Sequence, residues 1–337
     1  MDSHRRLAGQ QRHVSHEDFN GEHSRLIAAL AFIAPAKTLK HSGATLWAHL
    51  LGTYEILRAW GAPRDVCLAG ALHSIYSTQY FPSPIASEDK RGDIARAVGR
   101  RAEGLAHAFC VLDRQGIRDA AMPSAWGSGS VRVARHSAPG RVRMAPSTVR
   151  VLRLIDLANE VDQRQRLSDG PGASMAELVR AFREIGFKPV ALPPQALTTS
   201  TSAETALLRN YAQGLTASKE RAPWLFEQCV AAVPCCAEPR LLLASAHLDA
   251  GQPGAAYTDA STALGHLRGW AAAWDTRVPL LAWEFLALQL MEAARRGERR
   301  QPPIAGQIKA RLRRDLARRP KPGRSSVGAM QGTHGSN

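Results

Sequence analysis

The chain has 337 residues, 45% of them hydrophobic, and a formal charge of +15, which is enough for two domains with buried cores. Aromatics make up only 6%, and the dominance of Ala and Leu favours helices, because these residues lose least on entering one. No apolar run is long enough to span a bilayer, residues 1–25 are too polar for a secretory leader, and the five cysteines are odd in number and irregularly spaced, so a cytoplasmic protein with free thiols and no membrane span is expected.

Residues 1–24 read as a flexible polar arm carrying His4, His13, His16 and His23. From Ser24 the helical pattern is strong. Ser42 is a candidate cap for a helix with Leu46, Leu50, Tyr54 and Leu57 on its apolar face, closed by Gly61 and Pro63. A second helix is expected from Pro63 to Tyr80, stopped by Pro82 and Pro84, and a third from Lys90 to Leu112. Residues 117–146 are rich in Gly, Ser, Pro and Arg without a period and predict a surface loop, a candidate lid. Helix is expected again from Ser147 to Leu167 and from Met175 to Ile185.

Residues 187–203, with Pro189, Pro193, Pro194 and a Thr/Ser run, read as an interdomain linker. Residues 204–296 predict helix after helix. Within them Ala244, His247, Gly251, Ala256, Ala260 and Ala263 fit one tetratricopeptide unit, where small residues let two antiparallel helices approach. Residues 297–337 read as a basic, disordered tail: twelve Lys/Arg between Arg295 and Arg324 face only Glu298 and Asp315. No recognition helix or stacking aromatics accompany this run, which argues against nucleic-acid binding. The adjacent Cys235 and Cys236 read as small buried apolar residues.

Four polar side chains sit among apolar neighbours: His41, His49, His73 and Asp156. Two imidazoles and a carboxylate brought from three helices can bind a divalent metal in a bundle core. The order of these residues, with Ala69-Gly70-Ala71-Leu72-His73 and Leu154-Ile155-Asp156-Leu157-Ala158-Asn159, resembles the HD superfamily over roughly residues 25–167. The nearest likeness is to the hydrolase domain of the stringent-response enzymes that cleave guanosine polyphosphates. The segment from His41 to Thr78 also looks like an uncharacterised bacterial branch of that helical group. Together with the tetratricopeptide likeness, this resemblance implies an all-α chain, an HD-like bundle at 25–186 followed by a tetratricopeptide-like hairpin domain. It also implies a metal (Mn, Fe or Zn) on His49, His73 and Asp156, with His41 as a substitute ligand.

Ser74 stands where that superfamily has its eponymous Asp, and Ser77 and Thr78 stand where the guanosine polyphosphate hydrolases carry acids. Two functions therefore remain open. One is metal-dependent hydrolysis of an anionic small molecule, with Asp156 and Glu103 in catalysis and Arg100, Arg101 and Tyr76 at the substrate. The other is an inactive HD-like domain attached to a scaffold that binds a partner protein or peptide. No phosphate-cradling glycine loop, Gly-x-Ser-x-Gly elbow or His-Glu-x-x-His motif occurs.

Overall fold

A computed structural model describes residues 16–41, 43–122, 129–136, 138–167, 170–171 and 174–318. The chain is predominantly helical, as its composition predicts. The N-terminal half contains α1 (His16–Ile33), α2 (Leu46–Ala59), α3 (Arg64–Ala71), α4 (Arg91–Val98), α5 (Arg100–Val111), α6 (Arg114–Ala120), α7 (Pro146–Leu167) and α8 (Met175–Glu184). Helices α2, α3, α5 and α7 pack on one another around Leu50, Leu57, Leu72, Phe109, Leu152 and Ile155.

Several expected boundaries move, each for a local reason. Ser42 lies outside the described residues. The helix it was expected to cap starts later, at Leu46, where the Thr45 hydroxyl accepts from the Ala48 N–H at 3.2 Å. The chain before it folds back as a two-residue ladder, β1 (Lys40–His41) against β2 (Ala44–Thr45), turning at Gly43 with φ 76°. Helix α3 ends at Ala71 rather than reaching Tyr80. The backbone tightens into three-residue turns, with Leu72 N on Ala69 O and Ile75 N on Leu72 O, so His73 sits just beyond the helix. The single helix expected over 90–112 is two, broken at Gly99, whose φ of 101° no L-residue adopts cheaply. The expected lid loop contains the end of α6 and a hairpin, β3 (Val131–Ala134) paired with β4 (Arg141–Met144). It reads as loop because the Val/Arg alternation of Val131–Ala134 and Arg141–Met144 lasts only four residues on each strand and is flanked by Gly, Ser and Pro. Residues 123–128 within it lie outside the described set.

The C-terminal half contains α9 (Thr201–Thr216), α10 (Ala222–Ala232), α11 (Ala237–Asp249), α12 (Pro253–Trp270), α13 (Leu280–Arg295) and α14 (Pro303–Arg318). Helices α9 to α13 pack pairwise in chain order, and α14 packs back on α9. Between α11 and α12 the contact runs over Ala244, Ala256, Ala260 and Ala263, all fully buried, and the turn passes through Gly251 at φ 71°. The region expected as a linker is a packed strap. Val190 N donates to Trp60 O at 3.1 Å, and Ala191 lies so close to Gly269 that a Cβ there would meet its carbonyl at 2.8 Å. With Trp60 Nε1 donating to Trp270 O at 3.0 Å, the two halves share one core. The expected disordered tail is helical through Arg318, because Ala305, Ile308 and Leu312 form a buried stripe beneath the arginines. Residues 319–337, like His4 and His13 of the arm, lie outside the described residues. The arm's other two histidines fall within α1.

All five cysteines are buried, and no two of them are joined in a disulfide. Cys236 lies beside Glu238, a fully buried carboxyl that accepts the N–H groups of Trp274 (2.6 Å) and Asp275 (3.2 Å). Burial raises the Glu238 pKa from 4.5 to about 7, and neighbouring Asp275 adds to the rise. A carboxyl raised on folding stabilises most where it is protonated in both states, and that contribution fades as pH climbs from 4.5 through 7. Wild type is expected to lose on the order of 3 kcal/mol over that window from this group. Glu238→Gln is expected to flatten this part of the profile, as read by urea denaturation between pH 4.5 and 8.

Candidate functional site

The folded-back β1–β2 turn, α2, the end of α3 and α7 meet at a buried polar centre. His49, on α2, is fully buried. Its Nδ1 donates to Asp162 Oδ2 at 2.7 Å. Asp162, on α7, is held in turn by the Arg166 fork, with Nε to Oδ2 at 2.8 Å and Nη2 to Oδ1 at 3.1 Å, while Arg166 Nη2 also donates to Ala48 O. Gly52 makes this approach possible, since a Cβ at that position would lie 1.8 Å from Asp162 Oδ1.

His73 is also fully buried, and its Nδ1 donates to Gly70 O at 2.7 Å. Its Nε2 lies 3.1 Å from His49 Nε2, and Asn159 Oδ1 lies 3.0 Å from that same His49 atom. Gln163 Nε2 donates to Asn159 Oδ1, which fixes which amide atom faces inward. The His41 ring stacks obliquely on His49 at 4.6 Å, and its Nε2 has no partner among the described residues. Burial foremost, then His49, lowers the His41 pKa to about 4. Burial and the same neighbour hold His73 well below its ordinary value, with Arg114 and His41 contributing.

Proton placement follows from these bonds. A carboxylate and a carbonyl only accept, so each imidazole carries its proton on Nδ1. A neutral ring then presents a bare lone pair on Nε2. Two such lone pairs and an amide oxygen converge within about 3 Å, a repulsive arrangement unless a proton or a cation lies between them. The outer bonds of both rings, to a carboxylate and to a carbonyl, are the partners that orient metal-ligating histidines. The donor set therefore fits a divalent cation on His49 and His73 with the Asn159 amide oxygen. His41 reaches it only by turning its free Nε2 inward: among the described residues no three His, Cys, Asp or Glu side chains already stand in ligand geometry.

The other predicted residues lie elsewhere. Asp156 sits on α7 one turn before Asn159. Its Oδ2 is taken by Arg118 (3.0 Å) and Arg153 (2.6 Å), with Glu160 alongside. It has no hydrogen bond to either histidine, and the arginines account for its buried charge. Glu103 is buried in a separate cluster, where the Arg91 guanidinium grips both its oxygens (2.6 and 3.2 Å) and Tyr76 OH donates to it at 3.1 Å. A carboxylate engaged three times is a structural anchor for α4 and α5 rather than a poised acid. Tyr76, its phenol pushed up by burial and by Glu103, belongs to the same anchor. Arg100 and Arg101 open α5 on the outside, with Arg101 bridging to Asp65 at 2.9 Å. The structure thus brings His41, His49 and His73 together and leaves Asp156, Glu103, Tyr76, Arg100 and Arg101 outside that centre.

Sequence reasoning missed Asp162, Arg166 and Gly52. A usable signal existed, because Asn159, Asp162, Gln163 and Arg166 recur at three- and four-residue spacing on α7 and lie on neighbouring strips of one helix.

Among the described residues no helix is long and apolar enough to cross a membrane. No curated protein and no solved structure matches the chain. A family model described as Domain of unknown function (DUF6817) matches residues 33–114, a stretch that contains His41, His49 and His73 and ends before α7.

Proposed function

We propose that the N-terminal half is a metal-dependent hydrolase of HD-like type acting on an anionic, phosphorylated small molecule. One observation carries the reading: two fully buried imidazoles face each other Nε2 to Nε2 at 3.1 Å with both outer nitrogens already engaged. His49 and His73 would hold the metal, with the Asn159 amide oxygen and His41 completing the set. A bound Mn, Fe or Zn ion lowers the pKa of its water and so supplies a nucleophile near neutral pH. Asp162 fixes the His49 tautomer and ring orientation, Arg166 fixes Asp162, and the Gly70 carbonyl does the same for His73. Because Ser74, Ser77 and Thr78 replace acids, the ligand set has less negative charge than that of the guanosine polyphosphate hydrolases it resembles. The reading therefore takes a different anionic substrate.

Elemental analysis of the purified protein tests this. Stoichiometric Mn, Fe or Zn is expected in wild type and none in His73→Ala. Asp162→Asn, which keeps the shape but weakens the orienting bond, is expected to reduce metal affinity about 10- to 100-fold. Wild-type protein that takes up no metal from any of the three salts removes the hypothesis.

A second reading is favoured by a cavity of about 980 Å³ in the C-terminal half, lined by Phe226, Leu242, Asp249, Lys309 and Arg313. Here the α11–α12 pair is the tetratricopeptide-like unit, the cavity holds a peptide of a partner protein, and the histidine centre is a structural polar core. Under this reading His73→Ala alters stability alone, and peptide binding is lost on Lys309→Glu.

A further inference from the structure

Under the hydrolase reading the cavity of about 980 Å³ in the C-terminal half has no occupant. It opens between α14, the start of α10 and the C-terminal end of α11. Part of its lining is apolar. Phe226 and Leu242 are buried there, and Ala222, Ala246 and Ala250 bring no hydrogen-bonding side chain. Gly214 lets Phe226 close this wall, since a Cβ at that position would meet the ring at 2.7 Å. The lining from α14 is cationic. Lys309 is half-buried, and its Nζ donates to Gln301 Oε1 at 2.9 Å. Arg313 Nε donates to Leu215 O at 2.6 Å. Among the described residues neither cation has a carboxylate within ion-pair distance. Asp249 also lines the cavity, and its Oδ1 accepts from Gln301 N at 3.1 Å. Burial pushes the Lys309 ammonium down to about 8; Asp249 pulls it up, and Arg313 and Lys219 press it further down.

The lining sets three cations (Lys219, Lys309 and Arg313) against two carboxylates (Glu220 and Asp249), a net of one positive charge. A partly desolvated ammonium beside other cations is stabilised by an anion, and this balance suits a monoanion better than a dianion. Cavities of about 300–1,000 Å³, mostly apolar with a few convergent polar groups, take small molecules. A peptide is a poorer fit. Its N–H and C=O groups need partners wherever they are buried, and the wall of Phe226, Leu242 and alanines has no side chain to supply them. A hydrocarbon body needs none.

We propose that this cavity binds a small amphipathic carboxylate, a fatty or arylalkanoic acid, with its head on Lys309 and Arg313 and its apolar body against Phe226 and Leu242. The Lys309 ammonium and the Nη side of the Arg313 fork donate to the carboxylate oxygens. This goes beyond the hydrolase reading and does not depend on a metal at His49 and His73.

The test is calorimetric titration of decanoate into the full-length chain, below the concentration at which it forms micelles. One decanoate is expected to bind per chain. Decanol, with the same body and no charge, is expected to bind about 10-fold more weakly or worse. The same is expected of a leucine tripeptide, whose peptide groups find no partners on the apolar wall. Decyl phosphate, largely a dianion at neutral pH, is expected to bind no more tightly than decanoate. Lys309→Met, which keeps the apolar stem without the charge, is expected to weaken decanoate about 10-fold or more. Should Lys309→Met not fold, the contrast between decanoate and decanol in wild type decides. The proposal is overturned if wild type takes up no decanoate, if decanol binds as tightly, if folded Lys309→Met binds as wild type does, or if decyl phosphate binds more tightly. A leucine tripeptide bound as tightly as decanoate overturns it equally and gives the cavity to a peptide.

Discussion

Arg277→Ala is expected to destabilise the protein by about 3–5 kcal/mol, read as a lower urea midpoint with an unchanged slope. Asp275 is fully buried and Arg277 is 3% exposed. The guanidinium grips both carboxylate oxygens, Nε to Oδ1 at 2.8 Å and Nη2 to Oδ2 at 2.5 Å, and Nη1 reaches Leu312 O on α14. Removing it strands a carboxylate in the core whose remaining hydrogen bonds among the described residues come from the Tyr211 hydroxyl (2.9 Å) and the backbone N–H of residue 277. The same loss removes one of the bonds that hold α14. The pair sits in the α12–α13 loop, where Trp283 Nε1 donates to Asp275 O and Glu238 accepts from the loop's N–H groups. Arg277→Lys, which keeps the charge without the fork, is expected to fall between wild type and Arg277→Ala. A loss below about 1 kcal/mol for Arg277→Ala would show that water reaches Asp275 and that the core is looser than described.

Gly52→Ala is the second large effect, and its sign opposes simple helix propensity. Alanine in place of glycine inside an exposed helix gains about 1 kcal/mol. At Gly52 the new Cβ would fall 1.8 Å from Asp162 Oδ1 and 2.6 Å from its Cγ, so either α7 shifts or Asp162 swings away from His49 Nδ1. Overpacking of this kind costs about 1–3 kcal/mol, and the buried His49 proton loses its acceptor as well. Net destabilisation of about 1–3 kcal/mol is expected, together with weakened metal uptake. Gly104→Ala on α5 is the control. Nothing lies within 4 Å of its added Cβ, so that substitution is expected to be neutral or to gain up to about 1 kcal/mol. Urea denaturation of the two variants side by side reads the contrast, and equal shifts in both would contradict the close approach of α2 and α7.

Helices whose evidence is local were legible in the amino-acid order. The helix expected from Ser147 to Leu167 runs Pro146–Leu167, and the one expected from Met175 to Ile185 runs Met175–Glu184, because apolar periodicity and caps operate over one or two turns. The pairing of α11 with α12 through alanines and the turn at Gly251 was equally readable. Less legible were the features decided at a distance. Gly99 breaks a continuous apolar pattern, and that pattern is the same for one long helix as for two bent ones. The arginine-rich tail hid the stripe of Ala305, Ile308 and Leu312, since charge dominates composition while only three positions decide docking.

The residue types alone pointed to an α-helical chain and to His49 and His73, each set in an apolar stretch that must be buried, whereas His41, between Lys40 and Ser42, joins them only through the folded-back β1–β2 turn. The choice of acidic partner belonged to the tertiary structure. Asp156, Glu160 and Asp162 share one helix, and which of them faces His49 depends on the rotation of α7 about its own axis. That rotation is set where α7 presses against the bare backbone of Gly52 and where Arg118 and Arg153 draw Asp156 to the other side. Such a long-range contact leaves no periodic trace along the chain.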